Sequence, residues 1–373
     1  MNTILSVEAL APVLTGIGRY AWELASRLPQ QAGVGQLRYY RQGQWVPDPA
    51  LLLQTPSAGA GLGRKKSGFR IRAPRWLKDY GLTRACRDQV FHGPNYMLPR
   101  CVDIGVATVH DLSVFKFPET HPIERIRQFE REFGLSMARA AHLITDSEAT
   151  RKEVIDFLAW APEKITVVPL GVSSQFAPRS EAELAPCLAK YGLRHAGYAL
   201  CVSTLEPRKK IANLLQAYQC LPQRLREQTP LILIGSRGWL SEELHQEIER
   251  LASQGWLRYL GFVPEADLPA LYAGARMFIY PSSYEGFGLP VLEAMASGVP
   301  VVTSNRSSLP EVTKGAALLV DPDDIDALAV SIEAGLSDQP WRTAAIALGL
   351  TVAQGFTWDR CVEQTVRVYK NIT

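Results

Sequence analysis

Short apolar runs alternate with amphipathic segments along most of this chain, the pattern of α/β proteins with parallel sheets. Thr3 to Val7, Tyr198 to Thr204, Leu231 to Gly235 and Met277 to Tyr280 read as strands. Tyr20 to Leu28, Ile123 to Ala140 and Glu148 to Leu158 read as helices, with Ser147 a good N-cap for the last. Ile165 to Val172 closes a first unit, residues 43–80 are irregular and rich in Pro and Gly, and a linker is expected near Ser173 to Glu183.

One stretch concentrates the chemistry. From Pro281 to Pro300 the chain reads as a strand end, a glycine-rich loop, a short helix and a stop. Gly286 and Gly288 bracket Phe287, so the loop backbone can approach a ligand closely. Pro290 suits a first helical turn and Gly298 a helix stop. A helix start at Leu289 offers N–H groups and a positive dipole end to a phosphate. Glu285 and Glu293 flank this start, and a carboxylate accepts two hydroxyl groups at once. A phosphate cradle between two hydroxyl grips has the shape of a nucleotide-sugar; the plain alternative is a turn with two solvated glutamates. A second turn, Leu205 to Leu215, crowds Arg208, Lys209 and Lys210 together, which is costly unless an anion lies near. His92 and His110 each stand at a strand end, where ligands sit in open α/β sheets.

Glu, seven residues, Glu, with G-F-G inside it and A-S-G-x-P-V behind it, resembles the donor signature of the family 4 retaining glycosyltransferases. The resemblance implies the α/β GT-B fold, two Rossmann-like doubly wound domains facing across a cleft. It implies an acceptor domain at 1–176, a nucleotide-sugar donor domain at 177–355, and a helix at 356–373 crossing back to the first. In its terms Arg208 and Lys209, with the loop at Gly16 and Gly18, contact the donor diphosphate. Val263 and Leu268 lie at the base, Glu293 holds the ribose and Glu285 the sugar hydroxyls. Gly286, Phe287, Gly288 and Leu289 form the donor loop, and His110 reaches the sugar from the opposite domain. No metal or other cofactor is expected, because the cations neutralise the leaving group. Two departures stand out: Leu170 replaces the family's usual Asn, and an Arg common near Thr204 is missing, which leaves Arg208 as second cation. G-I-G-R-Y, H-G-P-N-Y and S-T-L-E-P-R-K look most like bacterial mannosyl- and rhamnosyltransferases using GDP sugars in O-antigen assembly. The rivals are a non-catalytic sugar-nucleotide-binding subunit, a transferase using a UDP sugar and a soluble acceptor, and a GT-B phosphorylase or epimerase.

Composition narrows the setting. The chain has 373 residues, 47% hydrophobic and 21% charged, as in soluble two-domain proteins. Met1 to Leu10 lacks a preceding basic segment and reads as a strand, not a signal peptide, and no run is long and apolar enough for a membrane span. Six scattered cysteines suggest neither a metal site nor a redox pair, and a cytoplasmic location is expected. Net charge is +3, but residues 1–180 carry +7 and the remainder −4. Much of the excess lies in Arg64, Lys65, Lys66, Arg70, Arg72, Arg75 and Lys78, interleaved with Phe69, Ile71, Trp76 and Leu77. Such a stretch suits peripheral contact with the anionic inner face of the cytoplasmic membrane and a lipid-linked saccharide acceptor. The alternative is a solvated basic loop; nucleic acid is not expected, since the second half is acidic.

Overall fold

In the computed structural model, residues 1–54, 83–102, 104–120, 123–238 and 241–373 are described; the basic stretch from Arg64 to Lys78 lies outside them. Two sheets organise the chain. The first contains β1 (Thr3–Ser6), β2 (Leu37–Arg41), β3 (Gln44–Val46), β4 (Val90–Gly93), β5 (Ile104–Val109), β6 (Ala140–Thr145) and β7 (Ile165–Val167). Its order is β3-β2-β1-β4-β5-β6-β7. All neighbours are parallel except β2 and β3, which form an antiparallel hairpin at the edge. That hairpin reaches into residues expected to be irregular. The second sheet contains β8 (Ala199–Val202), β9 (Leu231–Ile234), β10 (Leu257–Tyr259), β11 (Met277–Tyr280), β12 (Val301–Ser304) and β13 (Ala317–Val320), ordered β10-β9-β8-β11-β12-β13. The inner strands β8, β9, β11 and β12 are buried along most of their length because helices cover both faces, hence their continuous apolar runs.

Each sheet reverses its strand order once, between β1 and β4 and between β8 and β11. Such reversals open crevices at the strands' carboxyl ends. The segments leaving these ends include the β1 loop, His92, the Arg208 turn and the Glu285 loop, so topology alone gathers most of the candidate residues.

The helix Trp358–Asn371 turns seven residues inward, among them Trp358, Val362, Val366 and Tyr369. It packs against the helix Gly16–Arg27 of the first sheet. Arg27 reaches Asp359 at 2.5 Å, and the His92 ring nitrogen Nδ1 lies 2.6 Å from the Tyr369 hydroxyl. One continuous apolar core therefore includes Leu5, Tyr20 and Leu24 near the first sheet, Phe278 and Val291 near the second, and Trp358 between them. Beside this helix, Val172 pairs with Thr357, so two chain crossings run side by side.

Several local expectations need correcting. The G-x-G at Gly16 and Gly18 is the first turn of a helix, not a loop: Thr15 caps it, accepting from the Gly18 N–H at 3.3 Å. The charged helix ends at Met137, and Ala140 already begins β6. Cys86 and Cys101 are not scattered in space; their sulfurs lie 3.9 Å apart in a separate apolar cluster with Ile4, Phe91 and Val109 of the first sheet.

Candidate active site

The turn after β8 places Arg208 and Lys209 in a short 3-10 segment, Pro207–Lys209, closed by Lys210 with φ 53°. The loop after β11 carries Glu285 towards them. Lys209 Nζ donates to Glu285 Oε1, and also to the Tyr280 hydroxyl at 2.9 Å. Tyr280 donates in turn to Glu285 Oε1 at 2.8 Å. Arg208 bonds Glu206 at 3.1 Å and the Tyr284 carbonyl at 2.8 Å, with Glu285 Oε2 at 3.6 Å. Lys210 turns away to Asp323 at 2.8 Å. The anion demanded by three adjacent cations is thus supplied within the chain, by Glu206, Glu285 and Asp323.

Electrostatics follow from this packing. Burial alone would raise the Glu285 carboxyl, but Lys209 and Arg208 outweigh it and bring it down to about 2. Burial opposes the Arg208 charge too, yet Glu285, Asp111 and Glu206 raise its pKa further. Burial depresses the Lys209 ammonium against the pull of Glu285. Both cations stand at the crevice with their charges held by carboxylates that a bound anion could partly replace.

Glu293, one helix further on, lacks such compensation. Burial raises its carboxyl to about 7, only partly offset by Tyr272 and Arg19. The buried Tyr272 hydroxyl faces it without forming a well-aligned hydrogen bond. Arg19 arrives from the first domain and also pairs with Glu265, two residues past Val263, so it spans the cleft at this end. The helix Leu289–Ala296 starts as expected, with Gly288 at its N-cap in the left-handed region (φ 112°) and Pro290 in its first turn.

Several candidate residues have partners inside the chain. The His110 ring is not available to a sugar: Nδ1 meets Asp146 Oδ2 at 2.7 Å and Nε2 meets the Pro94 carbonyl at 2.7 Å. The Pro94 carbonyl can only accept, so Nε2 carries a proton; Asp146 raises the imidazole pKa although burial opposes it. Phe287 is buried against Phe356, ring centroids 5.7 Å apart, and turns no side chain to the crevice. Val263 is buried in the core and Leu268 packs against it, which leaves their main chains for a ligand. Gly286 is small for a reason other than ligand approach: a Cβ there would stand 1.8 Å from the His110 carbonyl oxygen of the other domain. Gly18 likewise has its N–H engaged by Thr15, while Gly16 faces Leu289 across the cleft, where a Cβ would stand 3.9 Å from Leu289 Cδ1.

The residues missed are Tyr280, Tyr284 and Glu206, which support Glu285, Lys209 and Arg208, and Asp146, which holds His110. Tyr280 and Tyr284 bracket the strand-to-loop step, and hydroxyl-bearing aromatics beside a glutamate were the available signal. His92 proves structural, its pKa lowered to about 3 by burial and by His110.

Two parallel α/β domains in contact, with a buried Lys-Arg-Glu cluster on the second, have the GT-B architecture. Residues 193–349 match the family described as Glycosyl transferases group 1. Over 380 aligned residues the chain is 43% identical to the O-antigen chain mannosyltransferase B of Escherichia coli, covering 99% of this chain and 100% of that protein. In fold it is similar to HepE of Anabaena, solved in complex with UDP and glucose (18% identical, TM-score 0.71, 100% of both chains). It is similar also to WaaG, a glycosyltransferase involved in lipopolysaccharide biosynthesis (16% identical, TM-score 0.70, 99% of both chains). The chain belongs to the group 1 glycosyltransferases.

Proposed function

We propose that this enzyme transfers mannose from GDP-mannose to a lipid-linked saccharide during O-antigen synthesis, with retention of configuration and without a metal. The observation that carries this reading is the full-length relation to an O-antigen mannosyltransferase. The site supports it. Arg208 and Lys209 stand where a leaving diphosphate needs positive charge, and Leu289 begins a helix beside them. In the transfer, the bond from the sugar C1 to the phosphate oxygen breaks and the acceptor oxygen bonds C1. The acceptor's proton passes to the departing diphosphate. Glu285, held ionised, accepts from sugar hydroxyls, and Glu293 accepts from the ribose once it has lost its proton. Because Arg208 and Lys209 supply the countercharge, turnover should survive excess EDTA.

The test is direct. Purified enzyme with GDP-mannose and a lipid-linked acceptor should form an α-mannoside, read by anomeric NMR, at equal rates with and without EDTA. A strict manganese or magnesium requirement would sink the metal-free reading; turnover only with UDP sugars would sink the donor. The stretch from Arg64 to Lys78 would dock the first domain on anionic membrane. Attraction of this kind decays over roughly 8 Å at physiological salt, so flotation with anionic vesicles should weaken as salt rises. Reversing Arg70, Arg72 and Arg75 to Glu should abolish flotation and leave donor binding unchanged. A triple variant that floats like wild type returns the stretch to a solvated loop and favours a soluble acceptor.

A further inference from the structure

Three contacts from the first domain converge on the loop that carries Glu285. The helix Glu148–Leu158 begins directly below it. Ser147, its N-cap, donates to the Gly286 carbonyl at 2.7 Å, while accepting from the Thr150 N–H at 3.1 Å. The Thr150 hydroxyl lies 3.3 Å from the Gly286 carbonyl and 3.3 Å from that of His110. On the other side of Glu285, the Tyr284 hydroxyl accepts from the Leu112 N–H at 2.9 Å and donates to Glu153 at 2.5 Å. A fourth contact reinforces these from the second domain. Glu311 places its carboxylate on the same helix start, accepting from the Glu148 N–H at 2.9 and 3.0 Å and from the Ala149 N–H at 3.3 Å. A carboxylate there satisfies unpaired donors and faces the positive end of the helix dipole.

The arrangement divides the loop's loyalties. The Glu285 side chain belongs to the second domain through Lys209 and Tyr280. Its neighbours on both sides are held by the first domain. Ser147 and Thr150 are fully buried, so their hydroxyl bonds to Gly286 cannot be exchanged for water while the domains touch. Parting the domains would release the Tyr284 hydroxyl, the Gly286 carbonyl and Glu311 together and leave the Glu285 loop held from the second domain alone, by Ser307, Ser308 and Arg208.

We propose that Ser147 and Glu311 are positioning residues: they form a latch that closes only when the two domains meet and so places Glu285 for transfer. The helix start that could have held a phosphate holds Glu311 instead. Glycosyl transfer is thereby coupled to domain closure through two side chains that touch neither sugar nor nucleotide.

The experiment uses the full chain with Ser147→Ala and Glu311→Ala, and Ser147→Thr and Glu311→Asp as conservative rescues. Small-angle scattering without nucleotide should show a larger radius of gyration for each alanine variant. kcat should fall about tenfold in each, while GDP affinity by calorimetry stays within about twofold, because the nucleotide lies on the second domain. The double variant should lose little more than either single one, since both act on one latch. Ser147→Thr should restore most of kcat. The proposal rests on the transferase reading but not on its donor. If wild type ignores GDP-mannose, the donor reading falls, and scattering still decides the latch. Unchanged scattering overturns it. So does an open form with unchanged kcat, or a loss of kcat matched by an equal loss of GDP affinity, which would mark the residues as support for the fold alone.

Discussion

Around Glu285 the second domain supplies Lys209, Arg208 and Tyr280; around Glu293, at the far side of the same short helix, it supplies only Tyr272, with Arg19 reaching over from the first domain. The carboxyl of the former sits at about 2 and that of the latter at about 7. Burial acts on both in the same direction. The difference is compensation, and it separates two tasks. A carboxylate already paired is fixed in place before any substrate arrives. A carboxyl left without a partner keeps its proton until hydroxyl donors reach it, so donor binding at neutral pH should be linked to proton release.

The harshest way to break this contrast is Lys209→Met, which leaves Glu285 buried with a cation fewer and strips the leaving group of countercharge. kcat should fall by about 100-fold or more, and a rate within threefold of wild type, on protein with a native circular dichroism spectrum, would remove Lys209 from the site. Next comes Gly286→Ala. Its Cβ would collide with the His110 carbonyl and displace the loop bearing Glu285, while Glu293 is untouched. Steady-state kinetics should show kcat down roughly ten- to hundredfold with unaltered nucleotide affinity; weakened GDP binding instead would mean that the loop and the nucleotide subsite move as one body.

The mildest substitution sharpens the comparison most. Glu293→Gln imitates the protonated acid, so donor KM should match wild type at pH 6 and exceed it by about fivefold at pH 8. Stability should respond with the opposite sign. The raised pKa means that this group's contribution is full below its unfolded value of 4.5 and is lost as pH rises through about 7. Melting curves of Glu293→Gln should therefore gain on wild type between pH 5 and pH 8. For Glu285 the depressed pKa puts the loss at the acid end, as pH falls from about 4.5 towards 2. Parallel melting profiles for wild type and Glu293→Gln would show that Glu293 is ordinary.

The comparison also marks how far the residues could be read in advance. Strands, the helix cap at Ser147, the first-turn Pro290, and the carriers of Glu285, Glu293 and Lys209 follow from local periodicity and turn chemistry, which the chain states within a few residues. Partner choice does not. Lys209 and Glu285 are 76 residues apart, and their spacing told of two ligand-facing groups, not of a pair that holds itself. His110 had a strand-end address but not the Asp146 that takes its ring. Gly286 was read as room for a ligand because a sequence shows that a side chain is missing, not which backbone fills the space. Cys86 and Cys101 met for the same reason, through the folding of the β4 and β5 region rather than through their spacing.

The Tyr369 hydroxyl that meets His92 has a consequence for synthesis on the ribosome. Those two residues are separated by 277 positions, and everything of the second sheet lies between them. At roughly 5–20 residues per second, His92 waits at least about 14 seconds for its partner. Throughout that interval the first sheet is without the helix that covers Tyr20 and Leu24, while from Val320 onward the second sheet has every strand it needs. The half of the molecule made first is therefore the half finished last, and a nascent chain stalled before Trp358 should present a folded second domain joined to an uncovered first domain.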